Sequence, residues 1–411
     1  MRPYFTHERF GRPQFLAGLL LLAFLLHALW LVRSELLVES RSPLSGSEAV
    51  RITAGWRQWH GMGIAGAPYP NPRAESSSES TENGFDTQHS PLLPLVASAP
   101  LLPLPQRLWN ADLSDYWRWF SRLPFLACGV FLGASLWYVA RRLCGNTGGF
   151  VALTFYCFSP SLIQASAVWH SDPEVVAAWG AFGAVFTSIA VAHTLYAPRE
   201  VILWNWRRIV LLGVSLAIAI GSQFSMIVLL PVALGFLLYV APVRRRAGTI
   251  IWLAASLVGF VLFSAVYFFH PRIFAESMHH AQFWGATWRG FAVFGVYKQV
   301  GLQLARACPA LILALPVALV TYLLWRRTRY FGNTAPLLLA VLFLALGMAH
   351  PDQAGAGFLI SAIPFVFIFV AGVLADLMET CHRALVTACV VALLLTYVVR
   401  TLVDLAQVPP G

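Results

Sequence analysis

Nine apolar stretches, near residues 14–32, 120–140, 148–168, 174–196, 249–269, 301–325, 335–349, 357–377 and 384–402, recur along the chain. Each approaches the length that crosses roughly 30 Å of hydrocarbon. A further stretch, 207–242, is too long for one helix and is bounded by Arg207 and Arg208 on one side and by Arg244, Arg245 and Arg246 on the other. It reads as a helical hairpin turning near residues 221–225, which brings the expectation to eleven spans. Only 11% of the residues are charged, against about 25% in an average soluble domain, so the chain cannot cover itself in water. The expected fold class is therefore an all-α polytopic membrane protein, a single transmembrane domain over 1–411. The first stretch is long for a signal-peptide core and is followed by no small-residue cleavage site, so it reads as the first span.

Orientation follows from the arginines, because basic residues are retained on the cytoplasmic side of short loops. With the N-terminus inside, fifteen arginines face four carboxylates on the inner segments, and the outer segments are close to neutral. The net charge of +10 is thus a topology signal and does not point to nucleic acid. Fourteen of eighteen carboxylates and seven of eleven histidines fall outside in this arrangement. A transporter would more often place ionisable groups near the midplane of its spans; collection at the outer ends favours an enzyme with an extracytoplasmic active site.

Residues 33–119 form an outer loop far longer than a connector needs to be. Ala49, Ile52, Trp56 and Trp59 share one face at helical spacing, which predicts a helix lying in the membrane interface. Ser45-Gly46-Ser47-Glu48 satisfies the capping-box pattern. Glu48 therefore reads equally as a helix cap and as a carboxylate placed to take a proton from an acceptor hydroxyl. Residues 69–89 lack periodicity and read as a loop. The proline-punctuated stretch from His89 to about residue 105 reads as interfacial or partly re-entrant, and 108–119 as a Trp-rich interfacial segment. The cysteines fall in spans or short basic loops, which argues against a disulfide framework or a Cys-based zinc site. His170 with Asp172, His279 with His280, and His350 with Asp352 are pieces from which a divalent-ion site could be built. None has zinc-signature spacing, and neither metal nor other cofactor is assigned. Asp172 opens a helix through His-Ser-Asp-Pro and serves as well for an N-cap as for substrate contact.

Glu48 followed by Ala49-Val50-Arg51-Ile52-Thr53-Ala54 and Trp59-His60-Gly61-Met62-Gly63, then Ser90-Pro91-Leu92-Leu93-Pro94, Arg141-Arg142-Leu143-Cys144-Gly145, Phe158-Ser159-Pro160, His170-Ser171-Asp172 and Gly221-Ser222-Gln223-Phe224, resembles the GT-C superfamily of membrane glycosyltransferases. The likeness is to its protein-mannosyltransferase and aminoarabinose-transferase-like branch, and it is strongest between residue 45 and about residue 240. The resemblance implies inverting transfer of a sugar from a polyprenyl-phosphate carrier to a protein, lipid or glycan acceptor on the outer face, with Glu48 as general base.

Within that reading Asp172 and His170 orient donor or acceptor, and Arg51, His89, Lys298 and Arg306 are candidates for substrate binding. Lys298 is the single lysine; it and Arg306 share one helical side, where fixed positive charge could hold a lipid phosphate or simply snorkel. No nucleotide-binding Gly-rich loop follows a strand, which agrees with a lipid-linked donor. Two alternatives stand beside the enzyme: a transporter or flippase of a lipid-linked substrate, and a non-catalytic carrier-binding relative, the latter because Ser47 stands where many members carry Asp. The absence of an Asn-x-Ser/Thr sequon and the Arg-over-Lys bias favour a bacterial inner membrane.

Overall fold

The computed structural model describes residues 12–39, 46–67, 85–104, 114–167, 174–195, 206–283, 289–349, 356–380 and 382–407, and among them contains no strand. In chain order its principal helices are α1 (Arg12–Glu39), α2 (Gly46–Trp59), α3 (Leu92–Ser98), α4 (Ser114–Cys157), α5 (Pro160–Ala167), α6 (Glu174–Thr194), α7 (Trp206–Ser222), α8 (Leu229–Val240), α9 (Arg245–Ala265), α10 (Pro271–His280), α11 (Phe294–Ala307), α12 (Leu311–Leu324), α13 (Phe331–Ala349), α14 (Ala356–Met378) and α15 (Arg383–Ala406). Among the described residues, seven helices have the length and apolar composition to cross a membrane, or eight if the bent pair α11 and α12 counts as one. The protein is thus an all-α polytopic membrane protein. The chain divides into two compact units, Met1–Arg41 with Leu126–Val168 and Ala286–Gly411, and Ser42–Phe125 with Trp169–Gly285.

The first unit holds α1, most of α4, α5 and α11 to α15. Along α4 the backbone leaves helical geometry at Cys144 and at Gly145, whose φ is +72°, a left-handed value natural to glycine. The flanking arms fold back on each other. The Tyr156 hydroxyl donates to the Gly129 carbonyl, a Cβ on Gly133 would sit 2.7 Å from the Tyr156 ring, and one on Gly149 would sit 3.0 Å from Arg141 Cβ. Antiparallel pairing about residue 145 accounts for both expected stretches, 120–140 and 148–168.

The second of them is broken near its far end. Pro160 opens α5, and a helix commonly ends before a proline because the preceding residue is pushed out of helical geometry. Buried carbonyls freed in this way are costly in lipid, and α15 supplies donors: Tyr397 Oη to Phe155 O and Thr401 Oγ1 to Phe158 O, both at 3.2 Å. The expected span 301–325 is likewise corrected. It is two helices bent by 109° because Pro309 cannot continue α11 and Cys308 is extended at φ −154°. Ser159 Oγ donates to the buried Ala307 carbonyl at 2.6 Å.

From Phe358 to Ala375, α14 is almost continuously buried. A helix apolar all round belongs at the centre of a bundle. Phe343 of α13 stacks on Phe365 at 5.5 Å. At one end of this pair Asn333 is fully buried and donates to Thr328 O at 3.0 Å and to Asp376 Oδ2 at 2.9 Å. Asn333→Ala should lower stability by about 1–3 kcal/mol, because it strands a buried acceptor. Arg327→Ala is the control: its pair with Glu379, 3.2 Å apart, is largely exposed on both sides and should be worth under about 1 kcal/mol. Thermal unfolding of the two variants in detergent checks the difference.

The second unit holds α2, α3, the start of α4 and α6 to α10. Small residues bring its helices to backbone contact, the means by which helices associate in lipid. A Cβ on Gly180 of α6 would lie 2.5 Å from Ala219 N of α7, and one on Gly213 of α7 would lie 2.6 Å from Ala255 O of α9. The hairpin expected within 207–242 turns at Gln223, which is extended, and continues through a 3-10 turn at Phe224–Val228. Phe224 is fully buried there with Phe263 and Tyr267.

Candidate active site

Glu48 and Arg51 sit on α2, which begins at Gly46, so Glu48 occupies the first turn, where the capping-box pattern places it. Its side chain lies outside the described residues, as do His170 and Asp172 entirely. Trp59, on the apolar face expected for the membrane interface, stays outside, and a neighbouring face of α2 turns inward. Ile52, Gly55 and Gln58 are buried, whereas Trp59 is 41% exposed. Glycine at position 55 decides this, since a Cβ would overlap the Pro94 carbonyl and Ser98 Oγ of α3. Trp59 Nε1 donates to Leu95 O at 3.1 Å. Gln58 bridges two segments, donating from Nε2 to Val266 O at 2.7 Å and accepting from Ala65 N at 3.0 Å. A buried amide satisfied on both ends fixes register.

Immediately before α3, residues 85–90 are tied in place one by one. Asp86 N donates to Gly66 O at 2.9 Å, Gln282 N to Thr87 O at 2.7 Å, Phe224 N to Gln88 O at 2.9 Å and Ser90 N to Gly221 O at 3.2 Å. Ser90 Oγ reaches the same Gly221 carbonyl at 2.6 Å, and Phe85 stacks on His280 at 5.3 Å. What the sequence presented as aperiodic loop is thus a fixed strap at its C-terminal end.

Within the strap, Asp86 Oδ1 accepts the N–H groups of Gln88 (2.9 Å) and His89 (3.0 Å), and His89 Nδ1 lies 3.3 Å from both carboxylate oxygens. Burial raises the Asp86 pKa, but the His89 hydrogen bond and charge and the two N–H donors outweigh it and hold the carboxyl down at about 2. A folded value below the unfolded one of about 3.9 means the pairing stabilises the fold above about pH 4 and is lost as pH falls through about 2. Such a saturated carboxylate is a poor proton acceptor at neutral pH, which leaves the role of base elsewhere. Asp86 was missed in the sequence; its signal is Asp at position i with His at i+3, the spacing of a side chain folding back on its own turn.

Lys298 and Arg306 lie in the other unit, both exposed on α11. Val296 and Ala307 of that helix are buried, while Phe294, Tyr297 and Leu302 are exposed beside the two cations. Among the described residues no three His, Cys, Asp or Glu side chains gather as metal ligands.

The family model for dolichyl-phosphate-mannose-protein mannosyltransferase matches residues 99–269. Two solved structures share the fold. One is the Archaeoglobus fulgidus oligosaccharyltransferase complex with Zn and sulfate (TM-score 0.50, 11% identity, over 79% of this chain and 45% of that one). The other is the archaeal oligosaccharyltransferase AglB from Archaeoglobus fulgidus in complex with an inhibitory peptide and a dolichol-phosphate (TM-score 0.54, 12% identity, over 94% of this chain and 56% of that one). At these identities the two structures show a shared fold. The chain spans about half the length of those structures, and no curated protein matches its sequence. The strap of residues 85–90 lies just ahead of the region that the family model matches.

Proposed function

We propose that this protein is a GT-C inverting glycosyltransferase that moves a sugar from a polyprenyl-phosphate carrier to a protein, lipid or glycan acceptor on the extracytoplasmic face of a bacterial inner membrane. The observation that carries the reading is the docking of α2 on α3: it ties the helix that bears Glu48 and Arg51 to the strap that fixes His89. Glu48 is the general base toward the acceptor hydroxyl, a role worth about 10²–10⁴-fold, and His89 with Arg51 meets the carrier's phosphate. His170 and Asp172 orient the reacting groups. The AglB structure holds a dolichol-phosphate, which supports a lipid-linked donor for this chain.

The cationic side of α11 is proposed to serve the same anionic carrier. With Arg326 and Arg327 inside, the 14 residues of α12 rise about 21 Å at 1.5 Å per residue. The 109° bend turns α11 away from the direction of α12, which supports a position for its cations at a headgroup surface. Lys298→Ala with Arg306→Ala is expected to raise the KM for donor by about 10–100-fold, the loss of a charge-assisted contact, with kcat changed little. Unaltered KM in steady-state kinetics at low salt would remove α11 from the site.

The function itself is tested by transfer of a radiolabelled sugar from a panel of polyprenyl-phosphate sugars to peptide, lipid and glycan acceptors. Transfer from at least one donor is expected. A purified, folded protein that turns over none yet binds polyprenyl phosphate would replace the enzyme with a carrier-binding or carrier-moving protein.

A further inference from the structure

We propose that the arginine-bearing ends of α7 and α9 form a binding site for the headgroup of an acidic phospholipid, whose acyl chain lies along the outward face of α9. Such a site needs only the membrane fold and holds whether or not the chain transfers a sugar.

Charge points to it first. Between residues 206 and 265 the chain carries five arginines, Arg207, Arg208, Arg244, Arg245 and Arg246, and no lysine, aspartate or glutamate. All five are exposed. The Arg208 guanidinium donates to the Ala190 carbonyl of α6 at 3.3 Å, and that of Arg207 lies 5.9 Å from the Trp206 ring centre. Among the described residues none of the five is paired with a carboxylate. They also stand at the helix end that disfavours their sign. Arg207 and Arg208 lie in the first turn of α7, and Arg245 and Arg246 in that of α9, with no acidic residue in either turn. A helix N-terminus favours an anion and presents N–H groups to it. Retention of basic residues explains why arginines gather at the end assigned to the cytoplasm, but it leaves their charge to be met from outside the chain.

Packing brings the two sets together. A Cβ on Gly213 would lie 2.6 Å from Ala255 O, and one on Gly259 would lie 3.1 Å from Gly213 O and 3.7 Å from Leu216 Cβ. Contacts that advance together along both helices mean that α7 and α9 run parallel, with their N-termini at the same end. Counted from the contact of Gly213 with Ala255 at 1.5 Å per residue, Arg207 lies about 9 Å and Arg245 about 15 Å toward that end. Packed helices have axes about 8–10 Å apart, so a single layer of phosphates meets both sets.

The face beyond the arginines selects a lipid over a soluble anion. Arg246, Ile250, Leu253 and Leu257 fall on one side of α9 at helical spacing, and the three apolar residues are 65%, 55% and 63% exposed within a stretch apolar enough to span a membrane. On α7, Leu211 follows Arg207 by one turn and is also exposed. A cation heading an exposed apolar stripe matches a molecule with an anionic head and a hydrocarbon tail. Trp206, largely exposed, adds an indole suited to the headgroup level.

The test uses the full chain in phosphatidylcholine nanodiscs doped with a phosphatidylglycerol, or in parallel a phosphatidylcholine, whose acyl chain carries a photoactivatable diazirine. After irradiation, mass spectrometry gives the adduct yield on residues 246–257. In the wild type the acidic probe should label this segment at least about five-fold more than the zwitterionic one, the effect of one arginine at an acidic lipid surface. Arg244→Gln with Arg245→Gln and Arg246→Gln should bring the ratio near parity. Arg246→Gln alone, which keeps the other four arginines, should lower the ratio by about three-fold or more and stands in if the triple variant does not insert. Arg326→Gln with Arg327→Gln, in the other unit, should leave it unchanged. Equal labelling by the two probes in the wild type, a ratio that survives Arg246→Gln, or an equal loss in the Arg326 and Arg327 control would overturn the proposal.

Discussion

Glu48→Gln is expected to lower sugar transfer by about 10²–10⁴-fold, the range associated with loss of a general base, while carrier binding persists. The substitution keeps size and hydrogen-bonding capacity at the first turn of α2 and removes only the ability to accept a proton. A capping role predicts a different pattern. Loss of a cap costs about 0.5–2 kcal/mol of stability, and Gln also serves at the third position of a capping box, so a purely structural Glu48 would leave turnover near normal. Steady-state kinetics beside thermal unfolding separates the two, and turnover within a few-fold of wild type would end the assignment of Glu48 as base. Asp86 does not compete for the role, because its oxygens are occupied and its carboxyl is held at about 2.

Gly55→Ala should have the largest effect of any substitution that leaves the chemistry untouched. The added methyl would overlap a backbone carbonyl and the Ser98 hydroxyl, neither of which is the far end of a flexible side chain. Overpacking of this kind costs about 1–3 kcal/mol. The relief available is displacement of α2 from α3, and a shift of about 1 Å in a catalytic group can cost 10²-fold in rate. Both a lower unfolding midpoint and a roughly 10²-fold lower kcat/KM are therefore expected at temperatures where the variant is folded. Gly61→Ala provides the contrast. Gly61 has φ +70° but open space around its missing Cβ, so alanine there should cost only the left-handed strain of about 1–2 kcal/mol, with kinetics preserved. Equal kinetic losses in the two variants would argue against the α2 and α3 contact as the positioning device.

The substitutions differ in how far the sequence announces them. Glu48 is proposed from patterns that converge on it: the capping box, the helical spacing that follows, and the excess of polar groups outside. His89 is proposed because it introduces an apolar, proline-punctuated segment. Asp86 was passed over within a stretch that shows no period, since an Asx-type turn leaves no hydrophobic pattern. The inward face of α2 was not legible, because hydrophobicity does not single out Gln58, whose tertiary partners satisfy it at both ends while Trp59 stays partly outside.

By itself the sequence determined that this chain dissolves in a bilayer and which segments become helices. Hydropathy, backbone geometry and charge act over a few residues to a few turns, so they are legible along one dimension. Tertiary structure decided how far α11 and α12 bend at Pro309, by 109°, that the arms of α4 close on Tyr156, and that a strap of residues 85–90 is bonded to partners more than 130 residues away, Gly221 among them. Those outcomes depend on which distant carbonyl or N–H is left without water and must find a partner. Glycine contacts set how closely the helices approach and hence which partners are in reach.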